Sequence, residues 1–236
     1  MKELFDKYNL RARLSPMIIL ISPIVLNMYL LVEEVRELST TIVVAITAAA
    51  LINLLILFSR HKAVKVNNIL DKKNSLAQEI LSPLNNDIKI NKLTKQRYYD
   101  FINTNVSYIN LSFEVEDEVE IKKQCNDAII WLKQRARGDK RFKLVEEEGI
   151  NTGFCKNMYG IKSYGIAINI ILVLVIGIYN YIMYGFNISS LSMETLLCIG
   201  IDITFLLIWV FVVNKELINS VYRKYGIALL ATCDVV

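Results

Sequence analysis

A chain of 236 residues that is 54% hydrophobic, carries a formal charge of +4 and gathers its apolar residues in two blocks around a polar middle is not patterned as a soluble globule. A soluble fold spreads apolar residues at helix or strand spacing, whereas here four runs approach the ~17 to 25 residues that cross roughly 30 Å of hydrocarbon. The single histidine, His61, excludes most catalytic zinc sites, and the irregular spacing of Cys125, Cys155, Cys198 and Cys233 gives no disulfide framework, so the thiols read as reduced.

The spacing predicts an all-α membrane protein with four transmembrane helices and a mainly helical domain inserted between the second and third. The first span runs from Pro16 to Val32, with Pro23 bending it from inside. A cleaved signal is not expected there, because the run lacks a small-residue cleavage site and a second full-length span follows at once. That second span, Ser39 to Phe58, carries Ala45, Ala48, Ala49 and Ala50, small enough to admit a close neighbour. The third covers Tyr164 to Phe186 and the fourth Thr195 to Val213.

Lys and Arg flank these spans on one side only. Lys7, Arg11, Arg13, Arg60, Lys62, Lys65, Lys156, Lys162, Lys215, Arg223 and Lys224 sit at the termini and the long middle segment, against Arg36 alone in the short loops. The positive-inside rule then puts both termini and the middle segment in the cytoplasm. Four segments follow: 1–59, 60–163, 164–213 and 214–236.

Segment 60–163 holds 19 Lys and Arg against 14 Asp and Glu, unevenly placed. Arg60 to Leu81 reads as a helical continuation of the second span, stopped before Pro83, and Thr94 as the cap of a helix through Ile102. From Glu114 to Ala136, Val119, Cys125, Ala128, Ile129 and Leu132 recur at helical spacing, with the acidic residues Glu114, Glu116, Asp117, Glu118 and Glu120 at the start. Gly138 ends that helix, and Phe142 and Leu144 alternate with Arg141 and Lys143 as in a short strand. After the fourth span, Leu217, Val221, Tyr225 and Leu229 predict a helix docked on the central domain or on a neighbouring subunit.

Asp202 lies inside the fourth span, where a carboxylate facing lipid is costly. It either lines an ion path, as a ring in a homo-oligomer, or locks helix packing. Asn27, Asn53, Asn169 and Asn180 place amides in the other spans; Asn53, Asn169 and Asn180 are candidates for the same path, interhelical hydrogen bonding being the alternative. Lys133, Arg135, Arg137, Lys140, Arg141 and Lys143 form a basic run that either dresses a solvated helix or binds phosphates. Tyr98 and Phe142, with Tyr99 and Trp131, are core residues or base-stacking platforms. No enzyme motif emerges, so no catalytic residue, metal or cofactor is expected; P-loop, nucleophile-elbow and zinc-protease spacings are all missing.

Three stretches resemble a bacterial family: Thr94-Lys95-Gln96-Arg97-Tyr98; Trp131-Leu132 through Arg137, Asp139, Phe142 and Leu144; and Gly153-Phe154 through Asn157, Gly160, Lys162, Gly165 and Ile166. The chain departs from that family's last block with Ser163 where proline is usual and Cys155 where a basic residue is usual. The family is that of four-span membrane effectors in Hailong-type anti-phage systems, which pair with a nucleotidyltransferase. The resemblance implies a homo-oligomeric ion channel, for instance a tetramer, whose cytoplasmic domain binds a nucleotide or single-stranded DNA signal made by that partner enzyme. A non-conducting membrane anchor that recruits a cytoplasmic partner is the rival expectation.

Overall fold

The computed structural model describes residues 7–32, 35, 76–85, 90–114, 117–185 and 191–235. Among them the chain is helical without strands: α1 (Ser15–Leu31), α2 (Leu76–Leu81), α3 (Lys92–Asn105), α4 (Glu118–Ala136), α5 (Lys143–Tyr184), α6 (Met193–Leu207) and α7 (Lys215–Leu230). Single π-helical turns precede α1 (Asn9–Leu14) and follow α6 (Ile208–Val212), and 3₁₀ turns occupy Lys140–Phe142 and Ala231–Asp234.

Three helical stretches are long and apolar enough to cross a bilayer: Asn9–Leu31, Lys140–Tyr184 and Met193–Val212. They match the expected first, third and fourth spans; the expected second, 39–58, lies outside the described residues. Pro16 follows directly on the π-helical turn, where it cannot donate to a carbonyl one turn back, and Pro23 is buried within the helix. Ser192 caps α6 by accepting from the Thr195 amide at 3.2 Å.

The chain divides into two compact units, 1–67 with 153–217, and 68–152 with 218–236. The first contains the membrane-length helices. Its core joins Met17 and Leu20 of α1, Met158 and Ile161 of α5, and Trp209 and Val213 beyond α6. Asn157 donates to the Ala12 carbonyl at 2.6 Å, tying the turn before α1 to α5. Most of the remaining surface of α5 is apolar and open: Ile170, Ile171, Leu174, Val175 and Ile178 are all exposed, as lipid or a second copy requires.

The second unit is a helical globule around Leu81, Tyr99, Ile102, Ile129, Leu132, Leu229 and Leu230. Tyr99 donates to the Leu81 carbonyl at 2.6 Å, and the Lys95 ammonium donates to Ser82 and Asn85 carbonyls at 2.7 and 2.8 Å, closing the turn after α2. Gly226 lets α7 press on α2, since a Cβ there would stand 3.1 Å from the Ala77 Cα. Helix α7 thus docks within this unit through Gly226, Ala228, Leu229 and Leu230, and of the expected stripe Leu229 alone is fully buried.

Three local expectations are corrected. The cap of α3 is Asn91, whose side chain accepts from the Thr94 amide at 2.8 Å; Thr94 is inside the helix. Val119 is 75% exposed and Ile121 takes its place in the core, because Asp117 caps α4 and Val119 falls on the outer side of its first turn. No strand forms at Phe142 and Leu144. Gly138 turns the chain with φ of 76°, Asp139 accepts from the Arg141 amide at 2.9 Å, and a helix starts there instead. That helix, α5, then runs 42 residues to Tyr184, uniting the last part of the middle segment with the third span.

Burial in the second unit sets a pH dependence. The Cys125 thiol is pushed up to about 12 by burial, which the neighbouring Lys95 ammonium only partly offsets, and burial raises the Cys233 thiol to about 12 as well. Both stay protonated in the fold while the unfolded thiols ionise from 9.0 upward. Their stabilisation is therefore complete below pH 9 and is lost as pH climbs toward 12, at up to about 1.4 kcal/mol per pH unit for each thiol. Lys95, held below its ordinary 10.5 by burial, acts in the opposite sense over the window just under that value. Urea unfolding between pH 8 and 11 should show a falling midpoint, with a shallower slope in Cys125→Ala; an equal slope in that variant would refute the assignment.

Candidate functional site

Two polar groups inside the membrane-length helices, one on α1 and one on α6, meet. Asp202 of α6 is completely buried, Asn27 of α1 nearly so, and the Asn27 amide donates to Asp202 Oδ2 at 2.8 Å. Among the described residues, Asp202 Oδ1 and Asn27 Oδ1 meet no donor, so the carboxyl group has one partner for a capacity of about four. Asp202 therefore faces α1 within its own chain. The sequence named both residues but did not pair them; Asp202 lies midway along its span and Asn27 about one turn from the end of its own, so depth alone did not match them.

The other amides do not join this pair. Asn169 is wholly buried on α5 and donates to the Gly165 carbonyl at 2.7 Å, one turn back on its own helix. Asn180, half-buried, does the same to Ile176 at 2.9 Å. Asn53 and His61 lie outside the described residues.

A second contact, between α5 and the end of α6, was not foreseen. A Cβ on Gly165 would stand 2.2 Å from Trp209 Cε2, so the indole, itself fully buried, occupies the space a side chain would take. The π-helical turn carries Trp209 there, and the Lys162 ammonium donates to the Val210 and Val213 carbonyls at 3.1 and 2.8 Å, capping that turn. Gly165 and Lys162 were read as members of a block, without a partner that spacing alone identifies.

The basic run is divided in role. Arg135 donates to the Thr232 and Val235 carbonyls at 2.7 Å each, its guanidinium lying 4.8 Å from the Phe101 ring and 5.0 Å from Phe142. Lys133 lies 5.9 Å from the Tyr225 ring. Arg141 pairs with Asp139 at 2.9 Å, and its hydrogen bonds hold that carboxyl below the usual range. Lys143 lies 3.9 Å from Glu147; Arg137 and Lys140 are exposed. Tyr98 and Phe142 are 5% and 4% exposed, so in this conformation both rings are core packing and neither offers a face to a base, a correction to the stacking expectation. Tyr99 is likewise enclosed, and Trp131 packs on Phe101 with ring centroids 6.1 Å apart.

Three members of the acidic cluster, Asp117, Glu118 and Glu120, serve the helix that they begin, while Glu116 lies outside the described residues. Asp117 accepts from the Val119 amide at 2.7 Å, Glu118 meets Lys122 at 3.3 Å and Glu120 meets Lys123 at 3.8 Å. No protein-family model matches the chain, and no curated protein or solved structure matches it either.

Proposed function

We propose that this chain is the membrane subunit of a homo-oligomeric ion channel, an anti-phage effector of the kind its sequence resembles, opened or closed by an anionic nucleotide or short single-stranded DNA at the unit built from α2–α4 and α7. In this reading four spans cross a bacterial inner membrane, both termini are cytoplasmic, and residues 60–163 supply the sensor. The observation that carries it is the Asn27–Asp202 pair, because a carboxyl group buried in a membrane-length helix, with one neutral partner among the described residues, is costly for packing alone and is characteristic of ion paths. Opening would part α1 from α6 and turn Asp202 toward water.

A non-conducting anchor is the second reading, favoured by the complete burial of Asp202 inside one chain. Ion flux into liposomes separates them. Purified protein should conduct, and Asp202→Asn should change cation flux on the order of tenfold, the effect of about 1.4 kcal/mol on a barrier. Silent liposomes with and without nucleotide or oligonucleotide would leave the anchor.

A further inference from the structure

Two guanidinium groups and a phenol meet on one four-residue turn. Arg135 reaches the Thr232 and Val235 carbonyls from α4, while Arg97 of α3 lies 3.5 Å from the Asp234 carboxylate between them. Tyr98, next to Arg97, faces the same carboxylate; burial first and Asp234 second push its hydroxyl up to about 12, so it remains a donor at neutral pH. Asp139, the other carboxylate near Arg135, is engaged by Arg141. Two guanidinium groups thus hold the same turn, Arg135 through its carbonyls and Arg97 through the Asp234 carboxylate.

We propose that Arg97, Arg135 and the Tyr98 hydroxyl form a seat for a phosphate-bearing dianion, which the chain's own Thr232–Val235 turn fills through Asp234 in the conformation described. The proposal rests on the ligand-gated reading above and gives that ligand a place. Three features support it. Two guanidinium groups on one turn suit a group of charge −2 with several acceptor oxygens. Arg135 is preorganised between Phe101 and Phe142, and planar guanidinium forks match phosphate oxygens. The resident ion pair is exchangeable, because the Arg97 and Asp234 side chains are 64% and 41% exposed and such pairs contribute little. An incoming phosphate would displace Asp234 and loosen the turn that ends α7, while the exposed Arg137 and Lys140 on the following loop add long-range attraction.

The test uses the full chain in detergent with inorganic pyrophosphate as probe. Asp234→Asn, which removes the competing charge at an exposed site, should bind pyrophosphate about two- to fivefold more tightly, the range an exposed ion pair spans. In the unaltered protein, saturating pyrophosphate should speed amide hydrogen exchange across 231–235. Binding that is equal in the two proteins and leaves those amides unchanged overturns the seat while sparing an anion site elsewhere on the unit. No binding to either protein overturns both the seat and the anionic-ligand reading.

Discussion

Gly165→Leu should prevent α5 from packing against the turn after α6, and Gly165→Ala should already destabilise the first unit. Even a methyl group would lie 2.2 to 2.5 Å from three atoms of the Trp209 indole, well inside contact distance. Either the indole leaves its pocket or the helices part. Overpacking of this kind costs about 1–3 kcal/mol, beyond the modest gain in helix propensity that Ala brings over Gly. The chain has only two tryptophans, so a Trp131→Phe background makes Trp209 the sole reporter. The expected result is red-shifted, more quenchable emission and a lower unfolding temperature in detergent, partly restored by Trp209→Leu in the Gly165→Ala protein. Unchanged emission and stability in Gly165→Ala would mean that the two elements are not in contact.

Arg135→Ala is expected to cost about 2 kcal/mol, because a part-buried charge-assisted hydrogen bond to the Thr232 carbonyl, an exposed one to Val235 and two cation–π contacts disappear together. The Thr232–Val235 turn should exchange its amides freely in the variant. Arg135→Lys should recover little, since a single ammonium cannot span two carbonyls while lying flat between two rings. Urea unfolding of the full chain measures the loss, and a cost below about 1 kcal/mol would show that Arg135 is a surface charge with incidental contacts.

The sequence carried the helices better than their contacts. Apolar runs of membrane length announced three of the described spans because lipid imposes a crude and local requirement on length and hydropathy. The helix from Glu118 was equally legible, with acidic residues at its start, Lys133 and Arg135 near its end and Gly138 beyond. Where the reading failed, a residue had been judged by its usual local habit. Glycines 149, 153, 160, 165 and 177 gave no hint that α5 is one helix, yet Gly153 and Gly165 sit where other groups come too close for a side chain. Phe142 looked like one half of an alternating pattern, but two apolar residues are too few to hold a strand against a capped helix start. Arg135 was grouped with its basic neighbours although its partners are 97 and 100 residues away, a separation over which spacing carries no information. The same distance in sequence hid the pairing of Asn27 with Asp202, 175 residues apart.

Lys162 counts among the basic residues from which an orientation is expected, yet its ammonium also closes the last carbonyls of the helical stretch that ends at Val212. Charge-reversal mapping of topology at this position would confound two outcomes, because Lys162→Glu alters the flanking charge bias and also repels the same carbonyl groups. Reporter fusions placed at other flanking cations, such as Lys215 or Arg223, avoid that ambiguity.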